Sequence, residues 1–343
     1  MPATSVPEIT SVLEGTSTTP YLIAAWQHFV GEEYDPVRFA RATVDFTRRW
    51  DWDWVKINPR AVYYSEAWGA QYDEEDYSGV VPKLLKPAIS SVADLATITA
   101  LDPANNAVFA EHITSAGLIR EQLGDRPLVQ TIFSPLSVLL QLAGLPLYPS
   151  QVIYGAPAGI DFVTLLTADP AATQAALAAI AKTLADYVRL LLAPVTEGGA
   201  ALDGIFYAVT GTANEGFLSK AQFDEFSRPY DLTVLEAAAD RLRVFHTCRA
   251  GSHVDWFADY PVSAVQWDQF LPGNPTISDE VGHPPIGGVS YSLFEPGSDP
   301  AEVSRQLAAT VEARQGRPFL LAPSCTIPTP ADDDLLALLR PAH

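Results

Sequence analysis

Apolar residues with helical spacing alternate with short apolar runs along most of this chain of 343 residues. Residues 35–50 have the three-to-four-residue apolar spacing of a helix, and the apolar run that follows is closed by Pro59 as a short strand. A second helix is predicted near residues 105–124 and a second strand over residues 126–135. This serial alternation is typical of a parallel sheet whose strands are connected by helices.

The alternation continues through the second half of the chain. A long alanine-rich helix is predicted after Thr167 or Asp169, either of which could cap it, with Pro170 in the first turn. A further helix over residues 219–240 should kink or divide at Pro229, because proline cannot continue the backbone hydrogen bonding. The remaining strands are predicted in five segments, namely residues 203–209, 243–247, 263–268, 284–290 and 318–324.

The strands are apolar throughout and do not alternate with polar residues, which indicates a sheet covered on both faces. Their number fits a (β/α)8 TIM barrel, an α/β fold, better than an open doubly wound sheet, and no glycine-rich dinucleotide or phosphate loop follows any of them. We expect one domain over residues 1–343, since barrels reach this length as single units. Residues 69–90 interrupt the alternation and are predicted to form a surface excursion with an acidic, solvated face.

Charge and hydropathy limit the partners that the protein can have. The chain carries 41 acidic and 21 basic residues, a net charge of −20, so we do not expect it to bind nucleic acid. The first residues have neither a basic start nor an apolar run, and Lys182, Asp186 and Arg189 interrupt the most apolar helix. The sequence therefore predicts a soluble, cytoplasmic protein that does not cross a membrane.

Two cysteines, Cys248 and Cys325, each follow a predicted strand, and the carboxyl ends of parallel strands meet at one end of a barrel. A disulfide is disfavoured in a large chain without a secretory signal, which leaves a free or metal-bound pair. His246 lies two residues before Cys248, so in extended backbone both side chains point to the same face. Imidazole nitrogen and thiolate sulfur together are typical ligands of zinc.

A zinc site with His246, Cys248 and Cys325 as ligands is therefore predicted, with one position open. Asp268, which ends the intervening strand, could be the fourth ligand or could give way to an incoming thiol. His253 is a rival ligand, although its spacing places it at the start of the following helix. The alternatives are a metal site that has been lost or altered, and core residues that are close by coincidence.

Three segments of the C-terminal third, "FHTC", "IGGVSYSLFEPGSDPAEV" and "LAPSCTIPTPADDDLLALL", occur in an order that suggests a family. In them the chain resembles the uroporphyrinogen decarboxylase superfamily, whose members have a His-x-Cys strand end and a late cysteine in a proline-containing loop. The similarity extends upstream through residues 215–238 and weakly to residues 24–29 and 63–73. The resemblance implies a TIM barrel.

Two branches of that superfamily differ in chemistry. True decarboxylases have an arginine-rich N-terminal motif, whereas the corresponding segment here, "AAWQHFVGEEYD", has no arginine. The chain is more similar to the branch of corrinoid-protein:thiol methyltransferases, in which His-x-Cys and a distant cysteine bind zinc. Cobalamin-independent methionine synthase has the same zinc arrangement, with a carboxylate near the position of Asp268. The resemblance therefore implies a zinc-dependent methyltransferase that activates a thiol.

Further residues are expected to line the pocket around the metal. Trp26 and His28, Lys56 and Asn58, and Gln266 and Asp268 are pairs two residues apart at predicted strand ends. Superfamily members place substrate contacts near the positions of Tyr207 and Glu215. We expect catalytic roles for three of these residues and ligand contacts for five, with Trp68 and Tyr72 as a lid. The catalytic residues are His28, Tyr207 and Asp268, and the contact residues are Trp26, Lys56, Asn58, Glu215 and Gln266.

The expected partners are a small-molecule thiol and a methyl donor. The donor could be a corrinoid on a partner protein, a folate or a small methylated compound, and we consider a homodimer as the oligomeric state. Two alternatives remain open at this point. One is a decarboxylase acting on a uroporphyrinogen-like or smaller acid, and the other is a non-catalytic binding protein with structural zinc.

Overall fold

The computed structural model describes residues 5–124 and 126–340. Its strands, numbered in chain order, are β1 (Val55–Ile57), β2 (Gln71–Ser78), β3 (Val81–Lys86), β4 (Leu128–Phe133), β5 (Gly204–Thr210), β6 (Leu242–Thr247), β7 (Ala264–Gln266), β8 (Pro285–Val289) and β9 (Leu320–Pro323). Its α-helices are α1 (Val6–Leu13), α2 (Pro36–Trp50), α3 (Tyr63–Ala67), α4 (Ala107–Gln122), α5 (Pro135–Leu142), α6 (Phe162–Thr167), α7 (Pro170–Leu192), α8 (Lys220–Phe226), α9 (Arg228–Glu236), α10 (Pro300–Ala313) and α11 (Asp333–Ala337). Short 3-10 helices lie at Val92–Thr97, Val195–Glu197, Val254–Phe257 and Tyr291–Phe294.

Seven strands form one curled parallel sheet in the order β1-β4-β5-β6-β7-β8-β9. An extended segment lies between its two edges, where Ile23 forms a single parallel bridge with Leu321 of β9. The carbonyl oxygen of Ile23 also accepts a hydrogen bond of 2.9 Å from the N–H of Asp53, just before β1. The predicted parallel α/β fold is confirmed. The eighth strand of a closed barrel is represented by this segment alone, so regular eight-stranded closure is not established.

Side chains on the two faces of the sheet belong to different hydrophobic clusters. One cluster joins α1 to residues of successive strands, including Trp26, Phe206 and Val244, and forms the interior of the sheet. A larger cluster packs the opposite face against the surrounding helices, with Tyr207 of β5 and Leu184 of α7 among its members. Successive residues of a strand point to opposite faces, so Phe206 is inside and Tyr207 is outside. Each apolar strand thus contributes to both layers.

Local sequence signals explain where the helices begin and end. Asp169, not Thr167, caps α7 by accepting a hydrogen bond of 3.0 Å from the N–H of Ala172, and Pro170 occupies the first turn. The predicted division near Pro229 is also present, because α8 ends at Phe226 and α9 begins at Arg228. In the described part of the chain, none of these helices combines the length and apolar character needed to cross a bilayer.

The predicted surface excursion is an antiparallel hairpin of β2 and β3 with an irregular register. Leu84 of β3 fixes it to the segment after α5, since its N–H donates to the Tyr154 oxygen at 2.9 Å and its own oxygen accepts from Ala156 at 2.7 Å. Gly155 is required at this contact, because a Cβ there would lie 2.1 Å from the Leu84 oxygen. The hairpin is thereby held over the carboxyl ends of the strands.

Candidate functional site

His246, Cys248, Cys325 and Asp268 all lie at the carboxyl end of the sheet. His246 of β6 is in register with Ala208 of β5 and Gln266 of β7. Cys248 follows β6 directly, and its N–H donates to the Thr210 oxygen at 2.9 Å. The thiols of Cys248 and Cys325 affect each other electrostatically, and the charge of Asp268 acts on both. The structure therefore brings the four expected metal ligands to one region.

The two thiols are free and partly buried. Burial, together with the neighbouring Cys325, raises the pKa of Cys248 to about 12. Burial also raises the pKa of Cys325, although the positive charge of Lys56 acts in the opposite direction. Without a bound cation both side chains are thiols at neutral pH, and a metal would have to displace their protons.

His246 has a buried ring nitrogen that lacks a partner, since Nδ1 makes no hydrogen bond with the described residues. Burial lowers the pKa of this imidazole to about 3, with the charge of Lys56 acting in the same direction, so the ring is neutral at pH 7. A buried polar atom without a partner is costly, and a neutral imidazole nitrogen beside two thiols is a donor set suited to zinc. The residues therefore fit the predicted metal.

Within residues 5–124 and 126–340, no group of three or more His, Cys, Asp or Glu side chains has the close arrangement of a metal site. The zinc ligands His246, Cys248, Cys325 and Asp268 thus stay a prediction.

Asp268 and Gln266 support this region from β7 and the loop after it. Asp268 is 2% exposed, and its Oδ1 accepts a hydrogen bond of 3.0 Å from the N–H of Phe270. Burial raises the pKa of its carboxyl group. The Gln266 Nε2 donates to the carbonyl oxygens of Pro323, at 3.4 Å, and of Ser324. Gln266 therefore holds the backbone that immediately precedes Cys325.

A small cavity of about 130 Å³ contains several of the expected pocket residues. Lys56 lies in its wall, and its Nζ donates to the Asn58 Oδ1 at 2.8 Å. The same Nζ lies 4.4 Å from the ring centre of Phe206 and 5.1 Å from that of Trp26. Burial lowers the pKa of Lys56 to about 7. Lys56 and Asn58 thus line the small cavity, whereas Trp26 packs beside Lys56 and lines neither this cavity nor the larger one.

His28 lines the same cavity and is paired with a carboxylate that the sequence did not indicate. Its Nδ1 lies 2.9 Å from the Glu33 Oε1, which also accepts a hydrogen bond of 3.0 Å from the N–H of Phe29. Glu33 is 1% exposed, and its Oε2 has no partner among the described residues. With Nδ1 held by Glu33, Nε2 is the ring nitrogen available to a molecule in the cavity. His28 and Glu33 are five residues apart in a turn, and neither helical nor strand periodicity predicts that such residues meet. The pairing with Glu33 could therefore not be predicted from the sequence.

A larger cavity of about 410 Å³ adjoins the small one at Cys248, Thr210, Ala61 and Phe133. The β2–β3 hairpin and residues 144–154 form its outer walls. Tyr72 lines it, with its hydroxyl 2.9 Å from the Ser65 Oγ. Trp68, the other expected lid residue, donates its Nε1–H to the Thr99 oxygen at 2.8 Å and is not part of the cavity wall.

The expectation that Tyr207 lines the pocket is wrong. Tyr207 is 0% exposed on the outer face of β5, and its hydroxyl donates to the Asp231 Oδ1 at 2.6 Å. Ser227 and Tyr260 donate to the other oxygen of Asp231, at 2.9 and 3.0 Å. The inward residue is Phe206, whose ring centre lies 5.6 Å from that of His246. The strand is buried on both faces, so its sequence did not indicate which residues face inward.

Two further residues do not reach the site. Glu215 is exposed in the loop after β5 and lines neither cavity. His253, the rival ligand, stacks on Trp256 and lies 3.3 Å from Asp255, immediately before the 3-10 helix at Val254–Phe257. Its expected position at the start of a helix is confirmed.

A cavity of about 1280 Å³, larger than the two beside Cys248, lies at the opposite end of the sheet. It is lined by residues that precede the strands, such as Tyr21 and Phe319, and contains none of the expected metal ligands. In a parallel barrel the chemistry belongs at the carboxyl ends of the strands, so volume alone does not locate the site.

A family model described as "Uroporphyrinogen decarboxylase (URO-D)" matches residues 25–340. The chain belongs to the uroporphyrinogen decarboxylase family. The resemblance found in its C-terminal motifs is thereby confirmed over nearly the whole sequence of this URO-D family member. A search of the curated proteins finds no match.

Solved structures show how this URO-D family member compares in fold. A methyltransferase from Methanosarcina mazei is 14% identical, with a TM-score of 0.74 over 96% of this chain and 95% of that chain. A B12-independent methionine synthase from Shewanella sp. W3-18-1, in complex with selenomethionine, is 10% identical, with a TM-score of 0.53 over 93% of this chain and 94% of that chain. At these identities the likeness concerns the fold alone.

Proposed function

We propose that this URO-D family member is a zinc-dependent methyltransferase that transfers a methyl group to a small-molecule thiol. The observation that carries the proposal is the unpartnered, neutral Nδ1 of His246 at the same strand ends as the thiols of Cys248 and Cys325. The fold shared with a methyltransferase and with a B12-independent methionine synthase supports it. The first of those proteins is named as a methyltransferase, and the second is named for the synthesis of methionine.

His246, Cys248 and Cys325 would hold the metal, with Asp268 as a further ligand or as the group that an incoming thiol replaces. Bound zinc would supply the charge that lowers the pKa of a coordinated thiol toward neutrality. The positive charge of Lys56 offsets the negative charge of the cysteine ligands, since its field already lowers the pKa of Cys325. Gln266 fixes the backbone before Cys325 through its bonds to the oxygens of Pro323 and Ser324.

His28 is the residue that we assign to proton transfer. Its Nδ1 is held by Glu33 at 2.9 Å, which orients the ring and leaves Nε2 to accept the proton of a thiol entering the cavity. Lys56 and Asn58 border the same small cavity. The reacting thiol would thus lose its proton in an enclosed space, beside the predicted metal ligands.

Two cavities meet at Cys248, which offers separate places for the thiol and the methyl donor. The donor could be a corrinoid on a partner protein, a folate or a small methylated compound. The cytoplasmic location and the homodimer stay predictions. The cavities beside Cys248 also favour a catalytic zinc over a structural one, because structural zinc sites are closed.

A decarboxylase is the second candidate, and the URO-D family match favours it. Porphyrinogen substrates carry many carboxylates, for which unpaired arginines would be expected. The arginine in the small cavity, Arg60, is already paired with Glu66 at 2.7 Å and with Glu111 at 2.6 Å. It is therefore not free to bind a substrate carboxylate, which leaves Arg249 of the larger cavity for the many carboxylates of a porphyrinogen.

The assay that separates the two uses purified protein reconstituted with zinc. Methylcobalamin and a methylated folate are each supplied with a panel of small thiols, and thioether products are identified by mass spectrometry. Parallel reactions with uroporphyrinogen measure carbon dioxide release. Thioether formation that is lost in Cys325→Ser supports methyl transfer, whereas carbon dioxide release without thioether would establish the decarboxylase.

A further inference from the structure

We propose that the 410 Å³ cavity next to Cys248 binds a small organic acid with an apolar body, whose carboxylate pairs with Arg249. The organic acid would be one of the substrates. Only its reaction at Cys248 rests on the proposed function. Binding itself requires neither zinc nor methyl transfer. The volume falls within the range of small-molecule sites, about 300–1,000 Å³.

The walls of this cavity are mainly apolar. Val62, Leu84, Phe133, Leu145, Leu147 and Ile153 line it. They come from the segment before α3, from the hairpin, from β4 and from the connection after α5. An apolar body would displace water from these walls, which favours binding in proportion to the area covered.

Arg249 is the charged group at this cavity. Its guanidinium carbon lies 4.0 Å from the ring centre of Tyr148, and its Nη2 donates to the Tyr148 hydroxyl at 2.9 Å. Within residues 5–124 and 126–340 it has no carboxylate at ion-pair distance, although its charge acts on Asp268 and the chain as a whole carries a net charge of −20. Arg249 and Arg189 are both exposed, but Arg189 pairs with Asp186 at 2.7 Å. An anionic ligand would supply the partner that the protein does not provide.

Three residues that line the cavity have a strained backbone conformation with positive φ. Ser150, Thr210 and Arg249 line it with positive φ angles of 66°, 56° and 78°, in a described chain where only two other non-glycine residues have positive φ. This conformation is especially unfavourable for the β-branched Thr210. Such strain persists where the surrounding structure imposes it, commonly at ligand sites.

Tyr148 is fixed against the strand end by close packing. A Cβ on Gly211 would lie only 2.3 Å from the Tyr148 Cβ, so the ring that supports Arg249 is packed directly on the backbone after β5. The guanidinium is therefore presented by a rigid aromatic partner, not by a free side chain. A preorganised cation of this kind binds an anion with less loss of conformational entropy.

Isothermal titration calorimetry with phenylbutyrate and its neutral analogue phenylbutanamide tests the proposal on the full chain without added zinc. The acid should bind about tenfold or more tightly than the amide. Arg249→Gln should abolish this preference, Arg249→Lys should restore part of it, and the exposed control Arg189→Gln should leave it unchanged. Val81 lines the cavity, so Val81→Phe should narrow it and weaken the binding of both compounds.

Equal affinity for acid and amide, an unchanged preference in Arg249→Gln, or no binding of phenylbutyrate at millimolar concentration would overturn the proposal. The same titration of Cys248→Ser separates it from the proposed function. A retained preference for the acid in that variant supports the site even if zinc and methyl transfer are absent.

Discussion

The imidazole of His28 and the carboxylate of Glu33 form a buried pair, with 2.9 Å between Nδ1 and Oε1. Glu33 is almost fully enclosed, and its second oxygen lacks a partner in the described chain. Such a carboxylate fixes the orientation and the tautomer of the ring, as in many catalytic histidines. In the proposed reaction it makes Nε2 the proton acceptor.

Glu33→Gln should lower the kcat for thiol methylation by about 10- to 100-fold and change KM little, because Glu33 orients His28 without contacting substrate. The neighbouring, partly exposed Glu32, which pairs with Arg38, provides the matched control Glu32→Gln. An unchanged kcat in Glu33→Gln would exclude the positioning role.

Lys56→Met should stabilise the protein at neutral pH and reduce methyl transfer. Burial lowers the pKa of Lys56 to about 7 from its usual value of 10.5, so the folded state binds fewer protons than the unfolded state between these values. The free energy of unfolding of the wild type therefore rises with pH from about 7 to 10.5. The advantage of Lys56→Met should be full below pH 7 and lost toward pH 10.5, as measured by urea unfolding. If the free energies of unfolding of the wild type and Lys56→Met differ by a constant amount from pH 7 to 10.5, Lys56 is not a buried charge with a lowered pKa.

Tyr207→Phe should leave zinc content and methyl transfer unchanged and destabilise the fold by about 1–3 kcal/mol. Asp231 would lose one of its three hydroxyl donors, which are Tyr207, Ser227 and Tyr260. Urea denaturation measures the loss. A large fall in activity without a change in stability would instead show that Tyr207 takes part in the reaction.

Asp231 should make stability depend on pH in the acidic range. Burial raises its pKa to about 6, above the usual 3.8, so the folded state holds a proton that the unfolded state releases. Stability should therefore fall as pH rises from about 4 to 6, by roughly 2–3 kcal/mol. Asp231→Asn should remove this slope. If the pH dependence of stability persists in Asp231→Asn, it arises from other titratable groups.

Sequence predicted most of the strands and helices because their apolar runs and caps are local signals, as at Asp169 and Pro229. It also grouped His246 with Cys248 and Cys325, since parallel strands place their carboxyl ends together. It failed for Tyr207, because a strand buried on both faces has no polar alternation to mark the inner side. Glu33 and Arg249 could not be singled out, because their roles depend on contacts between the chain's loops and on the absence of charged neighbours.

Zinc content measured by elemental analysis tests the central claim most directly. After reconstitution, the wild type and the control His253→Gln should each hold about one zinc per chain, because His253 lies outside the site. Cys248→Ser, Cys325→Ser and His246→Gln should lose it while remaining folded by circular dichroism. A wild type that binds no zinc, or cysteine variants that retain it fully, would contradict the account.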